Sequence, residues 1–268
     1  MQTGGERWRW VLALALAGLA AGCVKLKNQT LVMPDGSGKI IMTFAVNEEA
    51  LKQALPLLGS RSDKAPKSVD DISASALDVE AIEKNSDGIV AYTKPAERSD
   101  GGWKYITLTG YFDDINQVRI RDGEKRGVAL SFVFRKTDAG FLLDADNLFV
   151  KRLTDQNLLA QMGDLPPQMM GMVGPMFEGF SLVESYKMPG EVQDVKGLTR
   201  KEGRLAGISY NEQVVLNQEE AKKASTQTHR TISCGLSHVT PAEASAFKAE
   251  LAKAKADWSK RQAAKPQP

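Results

Sequence analysis

The sequence predicts an α+β fold, in which helices pack against a curved antiparallel β-sheet and a further helix ends the chain. Two observations predict it. Segments rich in β-branched and aromatic residues, such as WKYITLTGYF at 103–112, recur at short intervals and are typical of strands. Between and after them lie segments whose apolar residues recur at helical spacing behind a capping residue.

The first 22 residues have the pattern of a secretory signal. Arg7 and Arg9 precede an uninterrupted run of apolar or small residues at 11–21. A membrane-spanning helix needs about 20 apolar residues, so this run is too short to span a bilayer.

The end of that run, LAAGC at 19–23, resembles the lipobox of bacterial lipoproteins, although Ala20 stands where leucine is commonest. The resemblance implies cleavage between Gly22 and Cys23, a diacylglycerol on the Cys23 thiol and acylation of the new amine, commonly by palmitate. An ordinary signal peptide or a short anchor that ends in cysteine is the alternative. Val24 follows the cysteine, and by the enterobacterial rule this favours the outer membrane if the organism is diderm.

Residues 24–46 predict a β-hairpin. Residues 24–33 alternate weakly between polar and apolar, PDGSG at 34–38 is typical of a turn, and KIIMTFAV at 39–46 predicts the returning strand. Asn47 then caps a predicted helix, whose apolar face consists of Ala50, Leu51, Ala54, Leu55 and Leu58.

The middle of the chain is predicted to be mostly strand. A loop at 59–70 and a short helix at 74–82 come first, and a second short helix is predicted at 113–120. The sequence KTDAG predicts a tight hairpin between the last two strands. The four predicted strands are 88–93, 103–112, 128–136 and 141–149.

Strands continue after a methionine-rich segment at 166–180. They are predicted at 181–188, 205–215 and 228–234, with a turn at Pro189-Gly190 and a short helix opened by Asn217.

A C-terminal helix is predicted from the capping box TPAE at 240–243 to about residue 261, before a disordered tail at 262–268. One face carries the stripe Phe247, Leu251, Ala254 and Trp258, and the opposite side carries Lys248, Lys253, Lys255 and Lys260. The stripe can pack on the domain or pair with another helix, and the basic side can lie on an acidic surface.

The hairpin with PDGSG, the helix after it and YKMPGEV at 186–192 together resemble the LppM-type domain of bacterial lipoproteins, over roughly residues 24–216. The resemblance implies a compact α+β domain with a curved antiparallel sheet that binds lipid or glycolipid and has no catalytic residues. Together with the signal and capping patterns, it divides the chain into a signal peptide (1–22), an LppM-like domain (23–238), the amphipathic helix (239–261) and the tail (262–268). Such domains are often followed by a membrane helix, but the C-terminal helix here is too charged for that role.

Several kinds of site find no support in the sequence. A formal net charge of +2 on 268 residues predicts no nucleic-acid partner. If Cys23 is lipidated, Cys234 has no disulfide partner and is interpreted as a small buried residue in a strand. His229 and His238 lack the spacing of metal ligands, and nothing around the acid pairs Asp113-Asp114 and Asp144/Asp146 suits them to acid–base catalysis. We therefore predict no enzyme, no metal and no cofactor.

The methionine-rich segment, with Met162 just upstream of it, holds the candidate ligand-binding residues. Flexible thioethers adapt to irregular apolar partners, although they also fill cores and can bind copper(I). The candidates are Met162, Met169, Met170, Met172, Met176 and Phe177.

The sequence thus predicts a non-enzymatic lipoprotein of the cell envelope, held to a membrane by its N-terminal lipid, with its body in the periplasm or elsewhere outside the cytoplasm. The predicted partner is an amphiphile (a lipid or glycolipid) or another envelope protein. A structural or assembly role with no small-molecule site is the alternative, and a hydrolase comes third.

Overall fold

The structure, a computed structural model, describes residues 24–52, 68, 78–121, 127–148, 151 and 179–264. The strands are β1 (Val24–Val32), β2 (Gly38–Asn47), β3 (Ser86–Asp87), β4 (Ala91–Tyr92), β5 (Ala96–Asp100), β6 (Trp103–Phe112), β7 (Arg119–Arg121), β8 (Val128–Thr137), β9 (Gly140–Asn147), β10 (Ser181–Lys187), β11 (Gly190–Lys196), β12 (Arg200–Glu202), β13 (Leu205–Asn211) and β14 (His229–Ser237). The helices are α1 (Val79–Lys84), α2 (Gln213–Leu216), α3 (Gln218–Thr226) and α4 (Pro241–Ala263). Residues 48–52 are also helical, and Ile115–Gln117 form one 3-10 turn.

The predicted α+β class is confirmed, but the strands form two sheets rather than one. The first sheet has the order β12-β13-β10-β1-β2-β6. Both β4 and β5 pair with the edge of β6 that does not pair with β2. The second sheet has the order β11-β14-β9-β8-β7-β3. All pairings are antiparallel except that of β1 with β10, which is parallel and therefore requires a crossover connection.

The main core lies between the two sheets. Strand side chains alternate between faces, so even-numbered residues of β1, β2 and β6 face inward. From the first sheet come Val32, Ile40 and Phe112, and they meet Phe132 and Leu143 of the second sheet in one buried cluster. The odd-numbered residues of the same strands form the outer face of the first sheet.

The N-terminal hairpin follows its predicted turn chemistry. The register runs from Val24 opposite Val46 to Val32 opposite Gly38. Within the turn, the Asp35 carboxylate accepts hydrogen bonds from the Ser37 amide at 3.1 Å and from its hydroxyl at 2.5 Å. A Cβ at Gly38 would overlap the Leu31 carbonyl oxygen and the Phe112 ring, so only glycine fits where β2 begins.

Asn47 caps the following helix as predicted, because its side chain accepts a hydrogen bond from the Ala50 amide at 3.1 Å. Only residues 48–52 of that helix are described. Most of the predicted loop at 59–70 lies outside the described residues.

Three elements of the structure differ from their predictions in type or in length. Residues 113–120 form a 3-10 turn followed by β7, because Ile120 pairs opposite Leu130 of β8. The strand predicted at 205–215 ends at Asn211, and α2 follows it. The predicted helix at 74–82 is α1, which begins after Asp78, whose carboxylate accepts from the Glu80 and Ala81 amides.

Four strands, β3, β5, β11 and β12, were not predicted at all, and each is short or mostly exposed. All five side chains of β5 are exposed, so this strand has no apolar alternation. Its pairing with β6 depends on Gly101 and Gly102, whose φ values of 56° and 79° suit a two-residue hairpin turn. The strands β11 and β12 follow the predicted turn at Pro189-Gly190 and lie at sheet edges with mostly exposed side chains.

Helix α4 extends to Ala263, two residues into the predicted tail, and residues 265–268 lie outside the described part. Thr240 accepts a hydrogen bond from the Glu243 amide at 3.1 Å, which is the first half of the predicted capping box. The Glu243 carboxylate instead receives two hydrogen bonds from Arg204, at 3.0 and 3.1 Å. Glu243 therefore makes a tertiary contact with Arg204 in place of the second hydrogen bond of the capping box.

The apolar stripe of α4 packs on the outer face of the first sheet. Phe247 and Leu251 are buried against Met33 and Tyr111, and Trp258 is partly buried at the end of the same cluster. This arrangement agrees with the interpretation that the stripe packs on the domain.

Among the described residues, one ion pair is fully buried between the two sheets. Arg230 of β14 is 0% exposed, and its Nη2 lies 3.3 Å from Oε2 of Glu184 on β10. Tyr186 donates to the other Glu184 oxygen, Nη2 of Arg230 also donates to the Tyr210 hydroxyl at 3.2 Å, and Nη1 donates to the Gln227 carbonyl oxygen. Because each charge has lost its water, each depends on the other for compensation.

We expect Arg230→Met to lower the free energy of unfolding by about 3–5 kcal/mol, because Glu184 would remain buried without its counter-ion. The matched control is Arg200→Met, which removes an arginine whose pair with Glu202 is largely exposed and should cost less than about 1 kcal/mol. Urea unfolding measures both. Equal losses in the two variants would contradict this role for the buried pair.

Candidate functional site

The site residues predicted from the sequence lie outside the described part of the chain. They are Gly22, Cys23, Met162, Met169, Met170, Met172, Met176 and Phe177. The lipidation site and the methionine-rich ligand site therefore stay predictions.

A cleft of about 420 Å³ lies between the last turns of α4 and the segment that follows β4. Two kinds of side chain line it. Its uncharged residues are Thr93, Ala254 and the almost fully buried Tyr92, and its charged residues are Lys94, Asp257, Lys260 and Arg261.

The cleft exists because the end of α4 is held against β4 and α1. The rings of Tyr92 and Trp258 pack edge to face, with centroids 5.5 Å apart. The Arg261 guanidinium lies 4.8 Å from the Trp258 ring centroid and donates to the Tyr92 carbonyl oxygen. One residue further on, Gln262 donates to Glu83 of α1 at 2.9 Å.

The cleft carries a positive charge. Lys94, Lys260 and Arg261 face it, against the single carboxylate of Asp257. Burial raises the pKa of Tyr92 to about 12, and a hydrogen bond with Ser86 opposes part of that rise, so this phenol stays neutral at physiological pH. The arrangement suits a ligand with an anionic group and an apolar part, since lysine and arginine are the usual partners of phosphate and carboxylate.

A second polar cluster joins residues that the sequence did not connect. β9 and β14 place His229 opposite Asp146, and the His229 Nδ1 lies 2.8 Å from the Asp146 carboxylate. The Asp144 carboxylate forms an ion pair with Arg135 at 3.2 Å and accepts a hydrogen bond from the Thr231 hydroxyl at 3.0 Å. Within the described ranges, no three histidine, cysteine or acidic residues are arranged to hold a metal ion.

The other residues considered in the sequence have local or packing roles. Asp113 pairs with Lys255 of α4 at 2.7 Å, and Asp114 accepts from the Asn116 amide at the start of the 3-10 turn. His238 is exposed. Cys234 is a free, buried thiol in β14, as interpreted from the sequence, and burial raises its pKa.

Across the part of the chain that the structure describes, no helix combines the length and apolarity needed to cross a bilayer.

Comparison with known proteins finds one distant structural similarity. No family model matches the sequence, and no curated protein matches it. Among solved structures, the chain is similar to the NMR structure of the folded domain of LppM from Mycobacterium tuberculosis, at 9% sequence identity and a TM-score of 0.33. The match covers 82% of this chain and 93% of that one. At this TM-score, nothing about function follows.

Two carboxylates make the docking of α4 depend on pH. Hydrogen bonds from Arg204 lower the pKa of Glu243 below its ordinary value of 4.5. Burial raises the pKa of Glu250, but hydrogen bonds from Lys39 at 2.6 Å and Tyr111 at 2.7 Å outweigh burial and lower it overall. A carboxylate with a lowered pKa stabilises the fold fully above its unfolded value and loses that contribution as pH falls through its folded value.

We therefore expect the free energy of unfolding to fall as pH drops below 4.5. In the double variant Glu243→Gln/Glu250→Gln, stability at pH 7 should be lower, and its fall with acid should be shallower. Urea unfolding between pH 7 and pH 3 measures both, with the exposed Glu202→Gln as control. An unchanged pH slope in the double variant would contradict the assignment.

Proposed function

We propose that the chain is a lipid-anchored lipoprotein of the cell envelope whose folded body binds an amphiphile with an anionic head and performs no catalysis. The LAAGC sequence at 19–23 and the short apolar run before it support the anchor. The strand β1 begins at Val24, directly after the proposed lipidated cysteine. An anchor at that position would hold the folded body at the bilayer surface, where lipids are concentrated.

The cleft beside α4 is the observation that carries the binding proposal. Its volume of about 420 Å³ falls within the range of about 300–1,000 Å³ that is typical of small-molecule sites. Lys94 and Lys260 can contact an anionic headgroup, while Ala254 and the aliphatic stems of the two lysines offer an apolar surface beside it. The methionine-rich candidates, from Met162 to Phe177, stay a separate prediction for contacts with the apolar part of the amphiphile.

Charge reversal in the cleft tests the binding site. We expect Lys94→Glu/Lys260→Glu to weaken binding of a short-chain phosphatidylglycerol by about tenfold or more, because the headgroup phosphate would meet two carboxylates. Isothermal titration calorimetry on the mature protein measures the affinity. The control is Lys136→Glu/Lys196→Glu, which changes the net charge equally at two exposed lysines outside the cleft. Equal weakening by both pairs would argue against the cleft.

Counting thiols tests the anchor. The chain has two cysteines, and Cys234 is only 2% exposed. If Cys23 carries a lipid, a thiol reagent should label no cysteine in the native mature protein and one after unfolding. Two labelled cysteines after unfolding would contradict lipidation. The intact mass of the same sample gives the N-terminal residue and the attached acyl groups.

Native mass spectrometry of the protein taken from its own membrane distinguishes the two proposed kinds of partner. A retained lipid would support amphiphile binding. A stable complex with another envelope protein, without lipid, would favour the assembly role instead.

A further inference from the structure

The outer face of the first sheet has a basic and aromatic region at the end where β1 begins. The Lys25 ammonium lies 3.7 Å from the centroid of the Trp103 ring, and the Arg98 guanidinium lies 4.1 Å from that of Tyr105. Lys27, two residues after Lys25 on the same face of β1, is exposed. We call these five residues the basic–aromatic face.

Strand register places the basic–aromatic face on one side of the sheet. Arg98 lies opposite Tyr105, and Lys25 and Tyr105 both lie opposite Ala45 of β2. The hydroxyl oxygens of Thr43 and Thr107 are 3.2 Å apart, which confirms that β2 and β6 present these odd-numbered residues together.

Helix α4 covers the other end of the same outer face. Lys39 and Tyr111 reach Glu250 of α4 there. Lys39 and Ala45 are six residues apart on β2, or about 20 Å at 3.3 Å per residue. Among the described residues, α4 therefore does not cover the end of the outer face where β1 begins, and Trp103 is partly exposed there.

The outward residues of β1 and β5 at this end carry a net positive charge. Lys25, Lys27 and Arg98 provide three cations, and Asp100, which lies 3.5 Å from Arg98, provides one carboxylate. Glu48, directly after β2, also lies near Trp103, because its amide donates to the Gly102 carbonyl oxygen at 3.0 Å. The outward residues of the neighbouring strands, which share the register of Lys25 and Lys27, are uncharged: Ser181 and Val183 on β10 and Ser209 and Asn211 on β13.

We propose that the basic–aromatic face lies on the headgroup region of a bilayer that contains anionic phospholipids. This inference rests on the proposed anchor at Cys23, which is one residue, about 3.5 Å of chain, before Val24. An anchor so close to β1 brings the start of the sheet to the membrane surface. Tryptophan and tyrosine favour the bilayer interface, and lysine and arginine beside them attract anionic lipids.

Fluorescence quenching by brominated phospholipids tests which side of the body meets the membrane. The mature lipoprotein is reconstituted into vesicles of phosphatidylglycerol and brominated phosphatidylcholine. If residues 1–22 are removed, the tryptophans left are Trp103 and Trp258. The tryptophan fluorescence of the Trp258→Phe variant then comes from Trp103 alone, and that of the Trp103→Phe variant comes from Trp258 alone.

We expect Trp103 to be quenched about threefold more than Trp258. Lys25→Glu/Lys27→Glu in the Trp258→Phe background should reduce that quenching, whereas Lys136→Glu/Lys196→Glu should not. Hydrogen exchange of the protein without a tryptophan substitution gives an independent measurement, because amides at 98–105 should gain protection when vesicles are present.

Each outcome separates this inference from the proposed function. Equal quenching of the two tryptophans, or quenching of Trp258 alone, in a protein that carries the Cys23 lipid overturns the membrane-facing assignment and leaves the anchor standing. Protection of 98–105 by a protein partner but not by vesicles also overturns it. Absence of the Cys23 lipid overturns the proposed anchor and this inference together.

Discussion

The register between β1, β2 and β6 is the constraint on which the rest of the structure depends. A slip of one residue would turn every side chain of a strand to the other face of the sheet. In the observed register, Ile40 and Phe112 are buried against the second sheet, and Lys39 and Tyr111 face α4. The main core, the helix docking surface and the basic–aromatic face therefore all follow from one set of strand pairings. The turn at 34–38, closed by the Asp35 hydrogen bonds, holds that register at the first hairpin.

The buried pair of Arg230 and Glu184 imposes a second constraint, between the sheets rather than within one. Apolar side chains tolerate small displacements of one sheet against the other, but a desolvated charge must keep its partner within hydrogen-bond distance. Tyr186 and Tyr210 complete this polar centre, and burial raises the pKa of both phenols, so that they remain neutral donors and acceptors over the physiological range. The polar centre thus connects β10, next to the central strand β1, with β14 of the second sheet.

Helix α4 links the stability of the fold to the candidate site. Its first turn is held by Arg204, its middle by Lys39 and Tyr111, and its last turns by Tyr92 and Glu83. The cleft lies at the last of these attachments, so its shape depends on the docking of the whole helix. The cleft and the basic–aromatic face are distinct surfaces, because β4 pairs with residues 110–111 of β6 and the aromatic residues of the face are at 103 and 105.

The sequence by itself determined the elements whose signals are local. The β6 bounds, the 34–38 turn, the Asn217 cap of α3 and the apolar stripe of α4 were predictable, because side-chain alternation, turn chemistry and capping act within a few residues. The cleft was not predicted, because the sequence assigned Ala254 and Lys260 to opposite sides of the last helix, and the structure brings both to the same lining. Only the tertiary structure decided the exposed strand β5, the parallel pairing of β1 with β10, the buried Arg230–Glu184 pair and the approach of Tyr92 to Arg261. Arg230 and Glu184 are 46 residues apart, and Tyr92 and Arg261 are 169 apart. Contacts at such separations depend on how the sheets and α4 pack, and no local pattern of residue types encodes them.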